Sequence, residues 1–176
     1  MGSTAEVVAN QARVWEKLRE SRFFLTLMRD YEGDPEKFGF CLSAFLSAFR
    51  SIAYRLARYT KITQGVQARN GLMALLGSQP DIAFLTQARN VEVHEDGVVI
   101  SRMFSYSFAD SDPERWRSRW DPWPNRWESR PGPPQVQLRH RWWQFANRTA
   151  QDLVDLCSAC LNETEEIVRQ TLASTP

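Results

Sequence analysis

The sequence predicts a mainly α protein: a bundle of four or five helices with a small β-hairpin and an irregular, Trp-rich insertion before the last helix. Three observations carry that expectation. Apolar residues recur at three-and-four spacing over long stretches at both ends of the chain. Gly, Pro and Asp cut the N-terminal half into helical lengths. The pattern turns to alternation only between about 91 and 108. With 176 residues, 43% of them hydrophobic, the chain suits one domain with an ample core. Residues 1–176 read as a single helical domain, in which about 98–141 form an insertion between the fourth helix and the C-terminal one.

The first helix is expected over roughly 4–31, where Val7, Val8, Gln11, Val14, Trp15, Leu18, Phe24, Leu25 and Met28 hold helical spacing until Gly33-Asp34-Pro35 ends it. Asp34 and Pro35 then supply an N-cap and a first helical position for a second helix to about 59, built on Phe38, Cys41, Leu42, Phe45, Phe49, Ile52 and Leu56. Ser43, Ser47 and Ser51 put small side chains on one of its faces, which admits a close helix neighbour within the bundle or across a dimer interface. A shorter helix is expected over 66–76, closed by Gly77. Ser78-Gln79-Pro80-Asp81 offers caps for a fourth, carrying Ile82, Leu85 and Ala88. From Val91 the residues alternate through Val93, Val98, Ile100, Arg102, Phe104, Tyr106 and Phe108, with Glu95-Asp96-Gly97 as a turn, so a hairpin is expected directly after this helix.

The stretch from about 110 to 143 holds six of the seven tryptophans. Trp116, Trp120, Trp123 and Trp127 keep helical spacing, but Pro122 and Pro124 forbid one continuous helix through them. Turns and short helical pieces are expected there, with 136–138 returning as a strand. A last helix over about 142–172 would carry Ala146, Ala150, Leu153, Leu156, Cys157, Cys160, Ile167 and Val168. Cys157 and Cys160 have CxxC spacing, yet both sit near the apolar stripe and no companion pair offers further ligands. They read as core residues rather than as a zinc or redox site, and neither metal nor cofactor is expected.

The formal charge is +1, so the chain carries no global field that would draw nucleic acid, although 19 of its 22 basic residues are Arg. No apolar run approaches the ~20 residues that span a bilayer, and the start lacks the regions of a signal peptide. Glu6 stands where a myristoylation signal wants Ser or Thr. Three cysteines are too few and too odd for a disulfide framework, and a cytoplasmic location without a membrane partner is the expectation. Phosphate-binding glycine loops, serine-nucleophile elbows and HExxH are absent.

The candidate chemistry lies in Arg89-Asn90-Val91-Glu92-Val93-His94, at the end of the fourth helical pattern. Arginine clamps a phosphate through permanently charged, forked donors, and imidazole, with a reference pKa near ~6.5, moves protons at neutral pH. The spacing resembles the signature of the HEPN superfamily: arginine, then Asn, Asp or His, three further residues, then His. The resemblance implies a small helical bundle that dimerises and cleaves RNA without a metal, with Arg89, Asn90 and His94 as catalytic residues. It also implies an arrangement in which two copies of the motif flank one cleft. Some members hold a tyrosine two residues after the histidine as a target for inactivating modification, and here that position is Asp96.

Residues five apart on an ideal helix point about 140° away from each other. Arg89 and His94 therefore converge within one chain only if the helix ends or unwinds between them, and the alternation after Val91 suggests such an ending. Asn90 and His94, four apart, could share a face. The bland alternative pairs Arg89 with Glu92 or Glu95 and leaves His94 at a helix C-terminus, where the dipole favours its cation. The other histidine lies in Arg139-His140-Arg141-Trp142-Trp143, and guanidinium groups beside indoles suit single-stranded RNA. The same residues could instead pack a mini-core or fit a partner protein's groove. Three readings remain: a metal-independent endoribonuclease acting as a homodimeric toxin or antiviral defence effector under an antitoxin or regulatory protein; a catalytically silent HEPN-like module that docks RNA or a protein through its Trp/Arg-rich segment; and, less favoured, a helical protein of unrelated function in which the six-residue match is accidental.

Overall fold

A computed structural model describes residues 3–94, 100–108, 136–146 and 151–174, with the backbone alone described at 90–94, 101, 104–108 and 136–142. Helix α1 spans Thr4–Asp30, α2 Pro35–Gln64, α3 Val66–Ser78, α4 Pro80–His94 and α5 Leu153–Ala173. Strands β1 (Ile100–Phe108) and β2 (Val136–Phe145) pair in a small antiparallel sheet. The chain forms two compact units, one of Met1–Ser101 with Trp143–Pro176 and the other of Arg102–Trp142.

Local chemistry explains where the helices begin. Ser3 caps α1 by accepting from the Glu6 amide at 3.3 Å. Asp34 does the same for α2 through the Lys37 amide, and Pro35 fills the first helical position, where no N–H is missed. The Lys37 ammonium also sits 3.0 Å from Asp34, and its hydrogen bond holds that carboxyl below its usual pKa. Asp152 caps α5 by accepting from the amides of Val154 and Asp155. The turn between α2 and α3 is a single residue, Gly65, at φ +93° and ψ 179°. Only glycine adopts that region without strain, which is why two helices can meet there with no longer loop.

The core follows from the apolar stripes. On α1, Val14, Leu18, Leu25 and Met28 are buried, and Ser21 shares their stripe with its hydroxyl returned to the Lys17 carbonyl at 2.9 Å. α2 is the central helix and packs against all four others. Phe38, Phe45, Leu46, Ile52 and Leu56 on it are almost completely removed from water. Arg22 and Arg29 on α1 reach Glu165 and Ser158 on α5, so the two helices run antiparallel, and Arg169 joins Glu165 at 2.6 Å.

The end of β2 belongs to the helical unit. Trp143 stacks on Phe38 with centroids 4.7 Å apart and donates its indole N–H to the Glu32 carbonyl at 3.1 Å. Phe145 meets Phe84 of α4 edge-on at 5.0 Å. These contacts correct the expected start of the last helix. Residues 142–145 are strand, not helix, because two aromatics at alternate positions bind the α2 and α4 ends while Asp152 starts the helix only at Leu153. α4 likewise runs on through His94, so the strand expected from Val91 is helix, and β1 pairs with β2 rather than with a segment before it. α3 continues through Gly77 to Ser78, and α2 extends to Gln64. The turn at Glu95-Asp96-Gly97 and the segments around Trp116, Trp120, Trp123 and Trp127 lie outside the described residues.

Candidate functional site

α4 carries the RNxxxH motif. Asp81 stands in its first turn, where a carboxylate suits the positive end of the helix dipole. Ile82, Leu85 and Ala88 form its core face, and Thr86 returns its hydroxyl to the Ile82 carbonyl at 2.8 Å. Arg89 follows directly after the buried Ala88 and is half-buried. The helix continues without a break through Asn90 to His94. The expected ending between Arg89 and His94 is therefore not there: alternation of Val91 and Val93 with charged and polar neighbours did not suffice to stop a helix with no proline or glycine before Gly97. Five residues of unbroken helix set positions 89 and 94 about 140° apart in register, whereas 90 and 94 fall on one face.

The second cluster singled out in the sequence, Arg139, His140, Arg141 and Trp142, lies on β2. Strand alternation puts positions 139 and 141 on one face and 140 and 142 on the other, so the four do not form one row. The CxxC cysteines are core residues of α5, with Cys157 and Cys160 almost wholly buried. Burial pushes the Cys157 thiol well above the ordinary cysteine range, which leaves it protonated and unreactive at neutral pH. Among the described residues no group of three His, Cys, Asp or Glu side chains is arranged to hold a metal, and no helix is long and apolar enough to cross a membrane.

A feature that the motif search missed lies at the α2–α3 elbow. Tyr54, Ala57, Arg58 and Lys61 of α2 and Val66 and Arg69 of α3 line a cleft of about 300 Å³. Arg58, Lys61 and Arg69 are exposed, and Tyr54 is 54% exposed. The Arg50 guanidinium lies 5.3 Å from the centre of the Tyr54 ring and donates to its hydroxyl at 2.9 Å, which holds the ring in place. The signal in the sequence is a charge run: from Lys37 to Pro80 there are six Lys or Arg and not one Asp or Glu. About five acidic residues would stand there at the chain's average usage.

Compared with known proteins, the chain matches no family model, no curated sequence and no solved structure.

Proposed function

We propose that the protein is a metal-independent endoribonuclease of the HEPN type, working as a homodimeric toxin or antiviral defence effector in the cytoplasm, restrained or released by an antitoxin or regulatory partner. The observation that carries this reading is Arg89-Asn90 followed by His94 at the end of a helix in a largely helical unit. Cleavage by the neighbouring 2′-hydroxyl needs a base for its proton, an acid for the leaving 5′-oxygen and a cation for the negative charge that gathers on the non-bridging oxygens of the phosphorane-like transition state. One imidazole cannot take both proton-transfer roles at once. The unbroken helix also keeps positions 89 and 94 on different faces of one chain. Two motif copies across a twofold axis answer both difficulties, because each copy then contributes from a different side of the cleft. Arg89 clamps the non-bridging oxygens, the two His94 imidazoles divide the roles of base and acid, and Asn90 orients an imidazole. The products are a 2′,3′-cyclic phosphate and a 5′-hydroxyl.

The test is cleavage of end-labelled RNA in EDTA by wild type, Arg89→Ala and His94→Ala, with the product ends analysed. Cyclic-phosphate ends from wild type, reduced by about 10²–10⁴-fold in either variant, support the proposal. Equal inactivity of all three, or equal activity, sinks it. Equal inactivity would favour the second reading, a silent module that docks RNA or a partner protein through the Trp/Arg-rich segment containing Arg139, His140, Arg141 and Trp142. The continuous α4 is the observation on that side, since it denies a single chain the convergent pair.

A further inference from the structure

The cleft between α2 and α3 has the chemistry of an anion-binding site, and its described lining residues do not include Arg89 of the motif on α4. We propose that it binds the phosphodiester backbone of single-stranded nucleic acid, with Arg58, Lys61 and Arg69 on phosphates and Tyr54 stacking a base. The inference goes beyond the cleavage reading and does not depend on Arg89 or His94 being active.

The charge argument is local. The whole chain is nearly neutral at +1, yet the span from Lys37 to Pro80, which covers all but the start of α2 and the whole of α3, holds six cations and no carboxylate. Charge is thus segregated onto this part of the molecule rather than interleaved. Three of the six cations line one cleft, and among the described residues no acidic side chain lines it with them. Among the described residues Arg58 and Lys61 have no carboxylate partner, and the Arg69 guanidinium meets only the neutral amide of Asn70, at 3.0 Å. Arg22 and Arg169, by contrast, both bind Glu165. Cations gathered without counter-charges repel one another, and an anion in the cleft relieves that repulsion. The backbone at the elbow is balanced, because the uncapped first turn of α3 and the last turn of α2, the negative end of its dipole, meet at Gly65, so the attraction for an anion comes from the side chains.

The aromatic residue narrows the ligand class. A bare anion site has no need of an exposed ring, whereas cations beside an aromatic are how proteins hold the backbone and bases of single strands. Arg50, from the same helix, lies over one face of the Tyr54 ring and donates to its hydroxyl, which leaves the other face for a base. At about 300 Å³ the cleft lies at the small end of ligand sites, which suits one nucleotide unit of a passing strand rather than a duplex. Two of its three cations are Arg, whose forked donors fit phosphate oxygens in pairs.

The experiment uses fluorescence anisotropy with a labelled oligothymidylate of about 12 nucleotides. This probe lacks a 2′-hydroxyl, so the proposed chemistry on α4 cannot cut it, and failure here is distinct from failure of the ribonuclease reading. The full chain is compared with Arg58→Glu/Lys61→Glu and with Arg13→Glu/Arg19→Glu, a matched reversal of exposed cations on α1. The expected result is a loss of roughly tenfold or more for the cleft pair and less than about twofold for the α1 pair. The gentler Arg58→Gln/Lys61→Gln, which leaves no buried charge and should melt like wild type, lowers the slope of log affinity against log salt by about 1.4. Tyr54→Ala weakens binding by about fivefold or more and leaves that slope unchanged. Absence of binding by wild type at low salt, equal affinity of wild type and the cleft pair, or equal losses from both pairs overturns the proposal. Displacement of the probe by inorganic phosphate as readily as by unlabelled oligomer also overturns it, by making the cleft a site for small anions.

Discussion

α2 and α4 both open on a proline at the first helical position, but they spend their lengths differently. α2 buries side chains from Phe38 to Thr60 and touches every other helix, so it is the scaffold of its unit. α4 is half as long, and its described core face is Ile82, Leu85 and Ala88, after which come Arg89 and the rest of the motif. Each helix carries its chemistry-bearing cations toward its C-terminal end. In α2 the cleft residues lie beside core residues such as Leu56 and Tyr59, while in α4 the motif lies beyond the last buried side chain described. The cleft residues of α2 thus stand on the solvent side of a buried stretch, which holds their backbone in place.

Substitutions that probe packing should reveal this gradient. Phe45→Ala, at a fully buried α2 position stacked on Phe49 with centroids 5.6 Å apart, is expected to cost about 3–5 kcal/mol in chemical denaturation. Leu85→Ala, equally buried but on a helix with less packing against the others, is expected to cost about 2–3 kcal/mol, because a smaller side chain is removed. If Leu85→Ala proves as damaging as Phe45→Ala, α4 is as deeply built in as α2 and the contrast fails.

Gly65 sharpens the comparison from the backbone side. A Cβ at this position would meet no atom within 4 Å, so space is not the obstacle to Gly65→Ala. The obstacle is φ +93° with extended ψ, and the expected cost is about 1–3 kcal/mol by thermal or urea unfolding. A neutral Gly65→Ala would mean that the elbow can relax to an ordinary turn, and the fixed geometry of the cleft beside it would go with it.

Much of this organisation is legible in the chain before folding. Asp34-Pro35 announces α2, Gly65 marks the elbow, and the stripes of α1 and α2 name their core residues, because each of these signals is local. The errors lie where distant contacts decide. Alternation from Ile100 to Phe108 does mark β1, but at Val91 and Val93 it pointed to strand where α4 continues, and helical spacing from Trp142 could not show that Trp143 will stack on Phe38 or Phe145 meet Phe84. The two candidate sites divide along the same line. Arg89 to His94 stands out as a spacing within six residues, but Arg58, Lys61, Tyr54 and Arg69 become a cleft only when Gly65 folds α3 against α2. Only the missing carboxylates between Glu36 and Asp81 were available in advance.

Trp143 tests the contact that sequence spacing could not foresee. Its ring stacks on Phe38 at an interplanar angle of 14°, and its indole N–H is bonded to the Glu32 carbonyl in the turn between α1 and α2. Trp143→Phe keeps an aromatic ring against Phe38 and removes the donor, leaving the carbonyl to find water. The loss expected is about 1 kcal/mol, the net worth of one such hydrogen bond and the smallest of the four effects. The substitution separates two reasons for a strand to end inside a helical unit. If the stack alone holds Trp143, the variant melts like wild type. If the hydrogen bond also ties β2 to the start of α2, the variant loses that increment and amide exchange quickens at Glu32 and Gly33, far along the chain from the altered residue.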